Sequence, residues 1–170
     1  MAFCSGETKA FFDAQAAHIE PILEKEKTGL SVAFFAVASD GTITVRKPND
    51  YVSSMIELAG GTYSLNGYVP EEENALSTLK MQMEDFYAAE KDADILIYNG
   101  TIEGELTSID ELVQKNSLFA DFKAVKTGQV YTTGSNFYQQ TSGTCDFIED
   151  LNKVLNGETD AEYRFLKKIN

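Results

Sequence analysis

The chain is 170 residues long, 43% hydrophobic, and carries a formal net charge of -13. That length suits one domain with a proper core, and the hydrophobic share is ordinary for a folded globular protein rather than a disordered one. The acidity argues against nucleic acid, whose phosphates need clustered Lys and Arg, and against an anionic membrane surface. No apolar run approaches the roughly 20 residues of a membrane helix, so direct membrane insertion is not expected.

In chain order, Met1 to Glu7 shows neither the basic nor the apolar region of a signal peptide. Cys4 follows no apolar stretch and does not read as a lipid-acceptor cysteine. Cys4 and Cys145 lie far apart, their pairing is not deducible, and they read as two ordinary thiols. Glu7 to Lys27 reads as a helix, with Phe11, Phe12, Ala16, Ile19, Ile22 and Leu23 at helical spacing, Pro21 as a kink and Gly29 beyond its end. Leu30 to Ala38 is a short apolar run typical of a buried strand, followed by a Ser39-Asp40-Gly41-Thr42 turn and an alternating strand, Thr42 to Arg46.

Asp50 caps a helix from Tyr51 to Ala59 that Gly60-Gly61 stops. Tyr63 to Leu65 reads as a short strand, Pro70 to Asn74 as an acidic loop, Gln82 to Glu90 as a helix and Asp94 to Tyr98 as a second buried strand. Ser108 with Glu111 forms a capping box for a helix to Gln114. A strand from Gln129 to Thr132 and helices over Thr144 to Leu155 and Ala161 to Lys168 complete the pattern. Alternating strands and helices imply an α/β three-layer sandwich around a mostly parallel sheet, in which ligands sit outside the carboxyl ends of the strands. The segments after Ala38, Leu65, Tyr98 and Thr132 are therefore the places to look.

Four stretches carry a resemblance. Val32-Ala33-Phe34-Phe35, the hairpin, and Ile56 to Gly61 form the first; Met83-Glu84-Asp85-Phe86 followed by Ala93 to Tyr98 is the second. Phe122 to Tyr131 (FKAVKTGQVY) is the third, and Phe147 to Leu151 with Leu155 the fourth. In this order, over about Leu30 to Leu155, they resemble the carboxy-terminal lobe of class III periplasmic binding proteins, which serve ABC importers of iron-siderophores, heme and cobalamin. Asn74 to Tyr87 and Ile97 to Leu106 are similar to stretches recurring in long members from Gram-positive anaerobes.

The resemblance implies a single lobe of a two-lobed binding protein, with residues 1–28 as the connecting helix and 29–170 as the lobe. It implies no enzyme activity, no cofactor, and a metal chelate as ligand. The implied partners are an ABC permease and either the missing amino-terminal lobe or a second copy of this chain. It also implies an extracytoplasmic, surface-associated location. The absent first lobe makes the chain a piece, a shortened gene product or half of a split receptor.

Candidate site residues follow. Tyr98, Asn99 and Thr101 lie after a strand, where a tyrosine can meet metal or chelate or can simply end a core strand. Arg46, with Lys47 beside it, can pair with carboxylates of a ferric chelate or heme propionates, or be a solvated hairpin end. Tyr138 and Gln139, in the stretch Asn136 to Gln140, mix aromatic and amide groups suited to a planar ligand, or form an ordinary polar loop. Glu84 matches the family position that docks on permease arginines, although the helix dipole alone also explains an acid there.

His18, the one histidine, reads as a helix-surface or packing residue, because no second His or Cys stands at ligand spacing; no metal site and no nucleophile-histidine set is expected. Glu71-Glu72-Glu73 lacks calcium-loop spacing, and no glycine-rich phosphate loop follows a strand. Two other classes remain open: a stand-alone dimerisation or interaction module derived from such a lobe, and an enzyme on a flavodoxin-like sheet, which ranks last.

Overall fold

A computed structural model describes residues 5–69, 76–135, 137, 143–158 and 161–170, with side chains at all of these except 5–8 and 12. The order of elements is α1 (Ser5–Leu23), β1 (Ser31–Val37), β2 (Ile43–Arg46), α2 (Tyr51–Leu58), β3 (Thr62–Tyr63), β4 (Thr78–Met81), α3 (Met83–Glu90) and β5 (Ile95–Tyr98). Then come α4 (Ile109–Lys115), a 3-10 turn (Ser117–Asp121), α5 (Lys123–Lys126), β6 (Val130–Thr133), α6 (Thr144–Leu155) and β7 (Leu166–Lys168). The expected loop at Pro70 to Asn74, Cys4, and the candidates Tyr138 and Gln139 lie outside the described residues.

The strands form one sheet in the order β4-β2-β1-β5-β6-β7, with β3 beside the start of β1. β1, β3, β5 and β6 run parallel to one another, β2 and β7 run against them, and β4, antiparallel to β2, shares the direction of β1. The carboxyl ends of β1, β4, β5 and β6 therefore meet at one edge of the molecule. β4 and β7 are the outer strands, four and three residues long, each paired on one side among the described residues.

Alternation along β1 divides the core into two layers. Phe35 turns to α3 and the 3-10 turn, with its ring 4.9 Å from that of Phe86 and 5.4 Å from that of Phe119. Phe34 turns to the opposite face, 5.9 Å from Phe137, which sits 4.5 Å from Phe147 of α6. α1 and α2 pack on α6 in this second layer. The result is the α/β three-layer sandwich expected, with a central, mostly parallel sheet. No helix among the described residues is long and apolar enough to cross a membrane.

The local signals act where the sequence places them. Asp50 accepts the Val52 N–H at 3.0 Å, and Ser108 accepts the Glu111 N–H at 3.3 Å, each starting its helix. Glu111 reaches back to accept the Thr107 N–H at 2.7 Å.

Two expectations need correction. The first helix ends at Leu23, not Lys27, although Pro21 is accommodated within it: the Lys25 N–H turns to the Ile22 carbonyl at 3.1 Å, and Thr28 is drawn to Gly60, its N–H 2.9 Å from the carbonyl oxygen. Ala161 to Lys168 is not a helix but leads into β7. The buried Asp150 carboxylate of α6 accepts the backbone N–H groups of Arg164, Phe165 and Leu166 at 2.9, 2.7 and 3.2 Å, fixing an extended approach. β7 then pairs antiparallel with β6. Phe165, Leu166 and Ile169 are all buried, and their spacing imitates a helix stripe.

Candidate functional site

Side chains at alternate positions of β1 and β2 on the α6 side of the sheet leave part of that face uncovered. There Phe34, Ala36, Ala38, Thr44, Arg46 and Thr78 line a cavity of about 270 Å³, closed from the loop after β5 by Asn99, Ile102 and Glu103. Small side chains at Ala36, Ala38 and Thr44 make the floor. The walls are mainly apolar, with one guanidinium, one amide and one carboxylate among them, the mixture common in small-molecule sites.

Arg46 ends β2 and is only 7% exposed. It donates to the Ser77 hydroxyl at 3.1 Å and to the Tyr51 hydroxyl at 3.2 Å, while its guanidinium carbon stands 5.0 Å from the Tyr51 ring centre. Asp50 lies 3.8 Å from it and supplies partial charge balance. A cation held this way is oriented before any ligand arrives, and its planar fork suits a carboxylate or another chelating oxyanion.

The loop after β5 is fixed by its backbone. The Asn99 N–H donates to the Phe35 carbonyl at 2.7 Å, and the Gly100 N–H to the Thr133 hydroxyl at 3.1 Å. Gly100 has to be glycine, because a Cβ there would meet the Thr133 carbonyl oxygen at 2.4 Å. The Asn99 side-chain oxygen accepts from both the N–H and the hydroxyl of Thr101. Thr101 therefore sets the direction of the Asn99 amide.

Of the candidates read from sequence, Arg46 and Asn99 come together at the cavity, and Thr101 stands behind Asn99. Tyr98 is placed in the core: it is 0% exposed, edge-on to Phe35 on the sheet face opposite the cavity, and Lys115 stands 5.7 Å from its ring. Its hydroxyl makes no hydrogen bond of regular geometry among the described residues. Burial above all, then the Glu103 charge, push its phenol up, against a smaller opposing pull from the Val37 backbone. Glu84 is exposed in the first turn of α3, and because α3 follows β4, it lies at the same end of the sheet as the loop carrying Asn99.

Sequence reasoning looked beyond the strand ends and missed the sheet face itself. Phe34-Ala36-Ala38 and Thr44-Arg46 were the available signal, since each set lies on one side of its strand. Thr78 on β4 carried a weaker one, in the alternating Thr78-Leu79-Lys80-Met81.

A family model described as periplasmic binding protein matches residues 6–137. The chain belongs to the periplasmic binding protein family. No curated protein matches the sequence. Solved periplasmic binding proteins share the fold. The TroA-like periplasmic binding protein FepB of Veillonella parvula superposes with a TM-score of 0.66 at 13% identity, over 96% of this chain and 55% of that one. The siderophore periplasmic binding protein from the fuscachelin gene cluster of Thermobifida fusca gives 0.63 at 18% identity, over 89% and 54%. An ABC-type Fe3+-hydroxamate transport system protein of Saccharomonospora viridis gives 0.63 at 17% identity, over 87% and 48%. The chain thus spans about half the length of the periplasmic binding proteins it superposes on, as one lobe of such a protein would.

Proposed function

We propose that the chain is the carboxy-terminal, ligand-holding lobe of a receptor that captures an iron chelate, heme or cobalamin outside the cytoplasm and passes it to an ABC permease. The observation that carries this reading is the mainly apolar cavity with the buried, pre-oriented Arg46 guanidinium in its wall. Its chemistry suits a ligand that is apolar over much of its surface and bears an anionic edge. Two of the superposed proteins, a siderophore periplasmic binding protein and a protein of an Fe3+-hydroxamate transport system, favour a ferric siderophore within that class.

Arg46 pairs with the anionic edge, Asn99 hydrogen-bonds beside it, and Thr101 holds Asn99. Tyr98 supports the strand beneath rather than touching ligand. Tyr138 and Gln139, which follow β6 in the sequence, add an aromatic and an amide group suited to the same ligand class. α1 begins as the connecting helix, and ligand is held between two lobes and released without covalent chemistry. Glu84 meets basic side chains of the permease, an exposed contact that sets register and speeds encounter more than it adds affinity.

Eight tyrosines and no tryptophan make quenching of tyrosine fluorescence the direct test. The chain is titrated with ferric hydroxamates, ferric catecholates, heme and cobalamin, with inner-filter controls. One compound class saturates, and both Ala36→Leu, which fills the cavity floor, and Arg46→Gln weaken it by more than about tenfold. Equal binding by the Ala36→Leu protein would remove the cavity as the site. No binding of any compound would remove the chain alone as a receptor.

A second reading, a self-associating module, is favoured by exposed Ile102, Leu76 and Tyr51, at 81%, 65% and 49%. Sedimentation over a concentration series separates it, since only that reading requires the mass to rise.

A further inference from the structure

A second cluster of chemically capable side chains lies away from the cavity, where α1 crosses α6. His18 Nε2 of α1 stands 2.7 Å from Glu149 Oε2 of α6. Asp146 lies one turn earlier on the same face of α6. A ligand atom from each of His18, Asp146 and Glu149 falls within 4.8 Å of the others. We propose that these three side chains form a binding site for a zinc-class divalent transition-metal ion that ties α1 to α6.

Three protein donors, one imidazole and two carboxylates, with an open fourth position describe a tetrahedral zinc site. Donors around one such ion stand roughly 3.3 Å apart, so the His18–Glu149 pair at 2.7 Å opens slightly and any pair near the 4.8 Å limit closes by about 1.5 Å, within the reach of side-chain rotation. The residues are accessible: side-chain exposure is 37% for His18, 35% for Glu149 and 19% for Asp146. A groove of about 200 Å³ opens beside His18 and Glu149, leaving room for a water ligand.

Each carboxylate is already held by a cation, Glu149 Oε1 by Lys153 at 2.9 Å and Asp146 Oδ2 by Arg164 at 2.5 Å. These two charges lower affinity for a metal ion, but they also hold the acids in place, as outer partners of metal ligands do. The imidazole disfavours calcium and magnesium, which take oxygen ligands. The site is invisible to local spacing because its histidine and its acids come from opposite ends of the chain.

The test uses the whole chain, stripped of metal with a chelator and carrying Cys4→Ser to remove a competing thiol. Zn2+ is titrated by calorimetry, and Co2+ is followed by its visible absorption. One equivalent of Zn2+ binds, His18→Ala and Glu149→Gln each weaken it more than about tenfold, and Co2+ develops a low-coordinate spectrum that His18→Ala abolishes. Asp13→Asn, at an exposed acid elsewhere on α1, leaves binding unchanged, and so does Arg46→Gln, which separates this site from the chelate cavity. The thermal midpoint of the parent rises with Zn2+ and not with Mg2+. Absence of saturable Zn2+ binding, or binding that survives His18→Ala in a protein with unaltered metal-free unfolding, overturns the proposal.

Discussion

Glu90 closes α3 with 0% of its surface exposed, and neither carboxylate oxygen makes a regular hydrogen bond among the described residues. The nearby Ser64 hydroxyl donates instead to the Val32 carbonyl at 3.0 Å. Burial pushes the Glu90 carboxyl up to about 7, and Ser64 offsets only part of this. The folded value lies above the unfolded one, so the neutral acid is the form the fold accepts. Stability tied to this group is fully present below the ordinary glutamate value of 4.5 and is lost as pH rises through about 7. Glu90→Gln should abolish that loss and stabilise the protein at about pH 8 by up to about 3 kcal/mol, with little gain near pH 4. Urea unfolding of both proteins across this range checks it, and a difference that does not vary with pH would refute the assignment.

At the scale of elements, side-chain chemistry was legible where a residue acts on its own neighbours. Asp50 and Ser108 mark their helices, and the run around Phe34 and Phe35 marks β1. Legibility failed where distant residues decide. β4 was missed because its pairing with β2 crosses the segment from 47 to 77. β7 was read as a helix because the group that straightens its approach, Asp150, lies on another element. Asp150→Ala should therefore unseat β7 more than α6, leaving three backbone N–H groups unpaired at a cost of about 3 kcal/mol or more. The expected outcome is a lower urea midpoint with selectively faster amide exchange at Leu166 to Lys168; protection there equal to the parent would contradict it. The candidate site divides the same way. Arg46 and Asn99 were legible as polar residues at strand ends, whereas for Tyr98 the sequence left ligand contact and core burial side by side, and its packing on Phe35, 63 positions earlier, decides for the core.

For the whole molecule, the formal charge of -13 sets the long-range electrostatics. Several ion pairs among the described residues are exposed, such as Lys9 with Asp13 and Lys126 with Asp121, and contribute little individually. General repulsion among carboxylates should outweigh them. Raising ionic strength from about 10 to about 150 mM at neutral pH shortens the Debye length from roughly 30 to 8 Å and should raise the thermal midpoint. A midpoint that falls instead would mean that specific pairs dominate.

The two outer strands have a consequence for how the molecule behaves in company. A sheet edge is a template on which another chain can extend the ladder. β4 presents an exposed lysine at Lys80, and β7 presents one at Lys167, on short strands whose neighbouring residues are largely apolar. An acidic chain has thus placed cations at both of the edges where a second molecule's strand would add. Replacing Lys80 and Lys167 with threonine removes this guard locally and should favour edge-to-edge association, whereas acylating every lysine would also deepen the net charge of -13 that keeps molecules apart.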